Sequence, residues 1–288
     1  KQMACKVARR SLCGIALRSV PKKHAEKSTE FDKFPSMYYN KCMDRINAWT
    51  AHTGCPHQNR NCHAVPTKGA CFMYQLAIFD LDGTLVNSIA DLGGTANHLL
   101  EQRHLPTHPI DAYYRFVGNG VHKLCERCLP PDTPAAEVET FFAEFNDYYS
   151  RHCLDKTAPY DGIPAVLAQL KAAGVHLAVA SNKTQPFVET IVRHYFGSDC
   201  FDQIFGSSDD RPKKPAPAIV EQILKTAGVS KAQAVMIGDS DVDIQTGKNA
   251  GVHTIGCVWG FRGEQELERA GADDLARTPA DLLRFMEI

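Results

Sequence analysis

The chain has 288 residues, 44% of them hydrophobic, and a net charge of -1, so it is long enough for two domains and apolar enough to fill a sizeable core. No uninterrupted apolar run approaches the roughly eighteen residues needed to cross a bilayer, which argues against an integral membrane protein. The near-neutral total hides an asymmetry: residues 1 to 72 hold 13 Lys/Arg against 4 Asp/Glu, and residues 73 to 288 hold 19 against 29, a balance of -10. That excess of acid makes a phosphate backbone an improbable partner for the main part.

The first 72 residues read as different material. Lys1 to Lys23 contains no acidic residue, and Arg9, Arg10 and Arg18 accompany Ser11 and Ser19, a composition like that of an organellar transit peptide. Cys55, His57, Cys62, His63 and Cys71 offer zinc-ligand types, but their spacings match none of the usual finger patterns. Neither helical nor strand periodicity holds for long, and Met73 stands just before the first strand. The expectation is a disordered or non-native extension, with a transit peptide or metal module as alternatives. The five cysteines farther on are scattered, which suits a reducing cytosol. Cys125 and Cys128, spaced C-x2-C, read as one face of a helix.

Leu76-Ala77-Ile78-Phe79 is a continuous apolar run, as in a strand buried on both faces of a parallel sheet. It ends in Asp80-Leu81-Asp82-Gly83-Thr84, and at the carboxyl edge of an open α/β sheet that places two carboxylates at a ligand crevice. Gly83 lets the chain turn away and frees local N–H groups, and Thr84 adds a hydroxyl. Helical patterns follow over 88 to 104, where Ser88 is the expected cap, and over 110 to 117, 120 to 129 and 134 to 153. No strand is evident between 88 and 173. This stretch is too long for one crossover, so residues 89 to 159 are expected to form an inserted helical subdomain.

From Pro159 onward helices and strands alternate. The pattern predicts helix 163 to 173, strand 175 to 180, helix 186 to 195, strand 203 to 206, helix 216 to 227, strand 234 to 238, helix 241 to 250, strand 252 to 257 and two final helices. Alternation of this kind implies βαβ units, and the fold class is α/β, a doubly wound, Rossmann-like parallel sheet formed by residues 73 to 88 and 160 to 288. Such a sheet brings all strand C-termini to one edge. Asp80 and Asp82 would meet there with Ser181 and Asn182, with Lys214 ahead of helix 216 to 227, and with Asp239 and Asp243. Each has an ordinary reading as a turn, a cap or a surface charge, but together they compose a phosphoryl-transfer site. Gathered carboxylates need a counter-charge. Oxygen-only ligands select a hard cation, Mg2+ being the usual one beside phosphate.

In these four motifs, Asp80-Leu81-Asp82-Gly83-Thr84, Ser181-Asn182, Lys214-Pro215 and Gly238-Asp239-Ser240-x-x-Asp243, the chain resembles a haloacid dehalogenase superfamily phosphatase over residues 73 to 288. The resemblance implies an α-helical cap over 89 to 159 and an aspartyl-phosphate mechanism. Asp80 would be nucleophile and Asp82 acid and then base. Gly83, Thr84, Ser181, Asn182 and Lys214 would surround the phosphoryl group. Mg2+ would lie between the side chains of Asp80 and Asp239 and the main chain of Asp82, with Asp243 behind them. Asp82 argues for phosphatase over dehalogenase chemistry.

Val117-Gly118-Asn119-Gly120, Ser181-Asn182-Lys183 and Val258-Trp259-Gly260-Phe261 are similar to bacterial phosphoglycolate phosphatases, with Asn87 a departure where that subfamily often has Asp. Arg115, Gly118, Asn119 and Lys123 are the candidate substrate contacts from the cap. The expectation is a cytoplasmic Mg2+-dependent phosphatase, monomer or homodimer, acting on a small phosphomonoester such as 2-phosphoglycolate, with no nucleic-acid or membrane partner. A sugar-phosphate phosphatase or phosphomutase is the enzymatic alternative. A phosphate-sensing or protein-binding module on the same fold is the other.

Overall fold

Phe79 pairs on both sides, with Val179 and with Ile237, and this central position of the first strand organises the molecule. The computed structural model describes residues 74–288; the expectations for residues 1 to 72, the Cys55, His57, Cys62, His63 and Cys71 set included, lie outside the described residues. In chain order the elements are β1 (Leu76–Phe79), β2 (Val86–Asn87), α1 (Ile89–Gln102), α2 (Ile110–Phe116), α3 (Val121–Cys128), α4 (Ala135–His152), β3 (Ala158–Pro159) and α5 (Ile163–Ala172). They continue as β4 (His176–Thr184), α6 (Gln185–Phe196), β5 (Gln203–Ser207), α7 (Ala218–Ala227), β6 (Ala234–Gly238), α8 (Asp241–Ala250), β7 (His253–Cys257), α9 (Glu264–Ala270), β8 (Asp274–Ala276) and α10 (Asp281–Phe285).

Six strands form one sheet in the order β5-β4-β1-β6-β7-β8, every pair parallel. This is the doubly wound α/β architecture read from the alternation of strands and helices. Strand order reverses at β1, so the crevice for a ligand lies where β1, β4 and β6 end. Side chains along β1 alternate between two apolar layers. Leu76 and Ile78 pack with Ile219, Val220 and Ile223 of α7, whereas Ala77 and Phe79 face the layer that includes Val166 and Leu170 of α5 and Ile191 of α6. Both faces are covered, which is why the run is continuous rather than alternating in polarity.

Several boundaries differ from the sequence expectation for local reasons. The strand expected over 175 to 180 continues to Thr184, so Ser181, Asn182 and Lys183 belong to β4. Helix α7 starts at Ala218 rather than 216, because Pro217 disfavours a helical conformation at Ala216. Ser88 stands at the N-cap of α1 but makes no capping bond, its hydroxyl donating instead to Asp82. β8 lies between the two final helices, where no strand was expected. It has three residues and pairs only with β7, too short to show a period.

The four helices α1 to α4 leave and return through adjacent strands. Val86 pairs with Pro159 and Asn87 with Ala158 in a two-residue antiparallel ladder, absent from the sequence reading because nothing local marks it. Asp91, in the first turn of α1, fixes the return: it accepts Thr157 N and Thr157 Oγ1, both at 2.7 Å, and Lys156 N at 2.9 Å. Asp91→Ala strands the two buried donors of Thr157. It is expected to lower unfolding stability by about 2 kcal/mol, read as a lower urea midpoint at unchanged m-value; an unmoved midpoint would show that the ladder does not depend on Asp91.

Candidate active site

The loop after β1 is held by its own backbone: Gly83 N donates to Val86 O at 2.9 Å, and Leu85 N and Val86 N donate to Leu81 O at 3.0 and 3.1 Å. Gly83 has φ +91, and a Cβ there would lie 2.3 Å from Asp239 Oδ2. Gly260 approaches from the opposite side, where a Cβ would fall 2.2 Å from that of Asp239. Two glycines thus let two loops close on one carboxylate. Phe261 N donates to Asp239 Oδ2 at 2.7 Å and Thr84 Oγ1 to Oδ1 at 3.2 Å. Trp259 Nε1, donating to Thr84 O at 3.1 Å, ties the two loops together.

Lys214 lies at the centre. Its ammonium, 2% exposed, donates to Asp80 Oδ1 at 2.8 Å, Asp243 Oδ1 at 2.6 Å and Ala180 O at 2.8 Å. These contacts use all three hydrogens. Asp243 Oδ2 accepts Ser240 Oγ at 2.7 Å and Ser240 N at 3.1 Å, completing a capping box at the start of α8. Both oxygens of Asp243 are therefore engaged. Asp80 differs: its Oδ2 receives no hydrogen bond among the described residues, and Asp80 lines a small cavity together with Asp82, Ser181, Asn182, Lys183 and the loop residues Gly118 and Gly120.

The charge balance is strained toward the negative. Burial pushes the Asp80 carboxyl up to about 7 against the pull of Lys214, with the Asp243 and Asp82 charges adding to the rise. Burial also raises Asp239 well above the usual carboxylate range, reinforced by Asp243 and Asp80. Burial opposes the charge on Lys214, yet Asp243 and Asp80 outweigh it and hold the ammonium above its ordinary value. One cation thus faces three buried acids. Carboxylate oxygens of Asp80, Asp239 and Asp243 lie within 4.8 Å of one another, an all-oxygen donor set that fits a hard divalent cation.

Asp82 is held apart from this cluster. Its Oδ1 accepts Ser88 Oγ at 2.5 Å and Lys183 Nζ at 3.0 Å, and its Oδ2 accepts Lys183 Nζ at 2.9 Å. Sequence reading gave Lys183 and Ser88 no part in the site. The signals available were the adjacency of Lys183 to Ser181-Asn182 and the likeness of Ser181-Asn182-Lys183 to bacterial phosphoglycolate phosphatases.

Asn182 joins two loops: its Oδ1 accepts Lys214 N at 2.9 Å, and its Nδ2 donates to Lys214 O and to Gly118 O, each at 3.1 Å. Arg262, also outside the sequence reading, donates to Val117 O at 2.8 Å. Of the cap candidates, Gly118 lines the cavity and Asn119 does not, its Oδ1 being taken by Arg127 at 2.8 Å. Arg115 and Lys123 are exposed and lie outside the cavity lining, Lys123 paired with Glu126.

The haloacid dehalogenase-like hydrolase family model matches residues 77–257. The chain belongs to this family. It is 37% identical to the phosphoglycolate phosphatase of Psychrobacter arcticus over 202 residues, 68% of this chain and 88% of that protein. It is 32% identical to the phosphoglycolate phosphatase of Aquifex aeolicus over 217 residues, 74% of this chain and 97% of that one. A crystal structure from Lactobacillus delbrueckii subsp. bulgaricus superposes with a TM-score of 0.71 at 31% identity, covering 74% of this chain and 98% of the other. Within the family the chain is phosphoglycolate phosphatase-like, and it is a phosphoric monoester hydrolase. Among the described residues no helix is long and apolar enough to cross a membrane.

Lys214→Met would leave Asp80 and Asp243 buried without their shared cation. The metal-free protein is expected to lose about 3–5 kcal/mol, measured by urea unfolding in the presence of a chelator; a loss below about 1 kcal/mol would mean that the two acids are neutralised in another way.

Proposed function

We propose that the chain is a Mg2+-dependent phosphatase of small phosphomonoesters, 2-phosphoglycolate foremost, working through an aspartyl-phosphate on Asp80. The observation that carries this reading is the asymmetry of Asp80. Lys214 fixes one carboxylate oxygen, the other has no donor among the described residues, and the residue lines the cavity. A carboxylate held in this way has its attacking geometry set before substrate arrives.

In the first step an Asp80 oxygen bonds to phosphorus as the bond to the leaving alkoxide breaks, and Asp82 supplies the proton the alkoxide needs. In the second, Asp82 takes a proton from water as the water attacks the same phosphorus; phosphate leaves and Asp80 is restored. Ser181, whose Oγ accepts Lys183 N at 3.3 Å, keeps its hydrogen to donate to a phosphoryl oxygen. Lys214 would add its charge to the phosphate surroundings, whereas the expected donors Gly83, Thr84 and Asn182 are committed elsewhere: the Gly83 and Thr84 amides to Val86 O and Leu81 O, the Thr84 hydroxyl to Asp239, and both amide hydrogens of Asn182 to Gly118 O and Lys214 O. The side chains of Asp80 and Asp239 and the main-chain carbonyl of Asp82 would hold Mg2+, which when bound supplies positive charge to the transferring group. Asp243 stays behind them, bound to Lys214 and Ser240.

Residues 89 to 159 are assigned as a cap whose loop Val117-Gly118-Asn119-Gly120 closes over the phosphoryl site. Asn182 and Arg262 meet two consecutive carbonyls of that loop, Gly118 O and Val117 O. The partly open cleft beneath it leaves only about 30 Å³ for the centres of water-sized spheres, room for a few waters. A lid this close favours a compact substrate and requires opening for entry. The 2-phosphoglycolate assignment draws on the two curated relatives, each named a phosphoglycolate phosphatase.

Phosphate release from 2-phosphoglycolate, sugar phosphates and aryl phosphates, with Mg2+ and with a chelator, tests the reading. Release is expected only with the metal and fastest with 2-phosphoglycolate. Isomerisation of a sugar phosphate would favour a mutase, and no turnover of any compound a phosphate-binding module. Asp80→Asn is expected to lower turnover by at least about 10⁴-fold; a variant that keeps full activity would remove Asp80 as the nucleophile.

A further inference from the structure

Lys183 takes no part in the chemistry above, yet it is as deeply buried as the residues that do. Its side chain is 1% exposed, and its ammonium sits 2.9 and 3.0 Å from the two oxygens of Asp82. On its other side the ammonium lies over the ring of Tyr149, 4.8 Å from the centroid. Tyr149 belongs to α4, is fully buried, and packs against Phe145 and Phe187. A buried ion pair adds little net stability compared with an apolar pair of the same volume. Stability alone is thus a poor reason for a lysine at this place, on the wall of the cavity that Asp80 and Asp82 share.

We propose that Lys183 is a positioning residue for Asp82, orienting its carboxyl toward the leaving-group oxygen and referring that orientation to α4 through the Tyr149 ring. The inference rests on the reading of Asp82 as acid and base. An aspartate side chain has two free torsions, and Ser88 bonds only one of its oxygens. The ammonium contacts both oxygens and so sets the plane of the carboxyl as well as its rotamer. Because the ammonium lies between Asp82 and α4, displacement of the helix would withdraw the support. Proton transfer requires donor and acceptor within about 2.6–3.2 Å, a tolerance that a swinging carboxyl does not meet. Without Lys183, Asp82 would still be present but seldom aimed.

The test exploits the leaving group. The alkoxide released from 2-phosphoglycolate needs a proton, whereas the acetate released from acetyl phosphate, a compound of similar size, does not. The constant kcat/KM reports only the steps up to release of the leaving group, and its ratio between the two substrates does not depend on how much of a variant is folded. That ratio is measured for the wild type, Asp82→Asn, Lys183→Met and the double variant. Asp82→Asn is expected to lower the 2-phosphoglycolate value by about 10²-fold or more and the acetyl phosphate value by less than about 10-fold. Lys183→Met is expected to shift the ratio in the same direction by at least about 10-fold, and the double variant to be no worse than Asp82→Asn alone.

If Asp82→Asn is selective while Lys183→Met lowers both substrates equally, or if the two losses multiply in the double variant, the role of Lys183 is overturned and that of Asp82 stands. If Asp82→Asn itself lowers both equally, the acid reading falls and the proposal with it. Should Lys183→Met yield no folded protein, Lys183→Gln, which keeps a donor but neither the charge nor the reach, is expected to give an intermediate ratio. A wild-type ratio there overturns the proposal.

Discussion

Three hydrogens on one buried nitrogen set the terms for the whole carboxyl edge of the sheet. Lys214 spends them on Asp80, Asp243 and the carbonyl of Ala180, so the end of β4 and the starts of the β1 loop and α8 are tied to a single point. Without a central cation, acids from β1 and β6 would repel each other across a medium in which charges are poorly screened. Supplied with one, they remain short of positive charge, as the raised Asp80 and Asp239 carboxyls show. A site with a standing deficit of this kind is suited to receive a divalent cation.

Selectivity within the cluster comes from which oxygens are already occupied. Asp243 has both engaged, by Lys214 and by the Ser240 cap, and acts as scaffold. Asp82 has both engaged by groups from outside the acid cluster. Asp80 alone combines an oxygen fixed by Lys214 with one that has no donor among the described residues, in a residue that lines the cavity. Four carboxylates of identical intrinsic chemistry are separated into distinct positions by their hydrogen-bond partners, and no large difference in sequence context is needed to do it.

Much of this was legible in the chain because the relevant signals are local. The apolar run Leu76 to Phe79 and the βα alternation after Pro159 report burial on both faces of a parallel sheet, and the topology then places Asp80, Ser181, Lys214 and Asp239 at one edge without any contact being known. Illegible features have non-local causes. Lys183 belongs to a stretch that resembles phosphoglycolate phosphatases, but its partner is unknown until the fold carries it to Asp82, 101 residues away in sequence. Ser88 has the type and place of a helix cap, and only the tertiary structure redirects its hydroxyl. Gly260 stands in a stretch similar to phosphoglycolate phosphatases, but only the structure shows that its missing side chain is what admits Asp239. Arg115 and Lys123 had suitable charge and neighbourhood, but sequence spacing does not report which face of a short helix meets the cavity.

The ladder formed by Val86, Asn87, Ala158 and Pro159 bears on how the chain is assembled. β1 and β4 are sheet neighbours, yet some hundred residues separate them. Because the helical excursion begins and ends at one small clasp, those strands experience it as a short tether once the clasp has closed, and the entropic cost of bringing them together is set by the few residues outside it. The same geometry uncouples the length of the excursion from the spacing of the sheet strands. Helices between the two strands of the clasp could change in length without moving its ends, provided the contacts of Gly118 with Asn182 and of Tyr149 with Lys183 are kept. Divergence of substrate range on a constant catalytic edge would then require change in only one contiguous stretch of sequence.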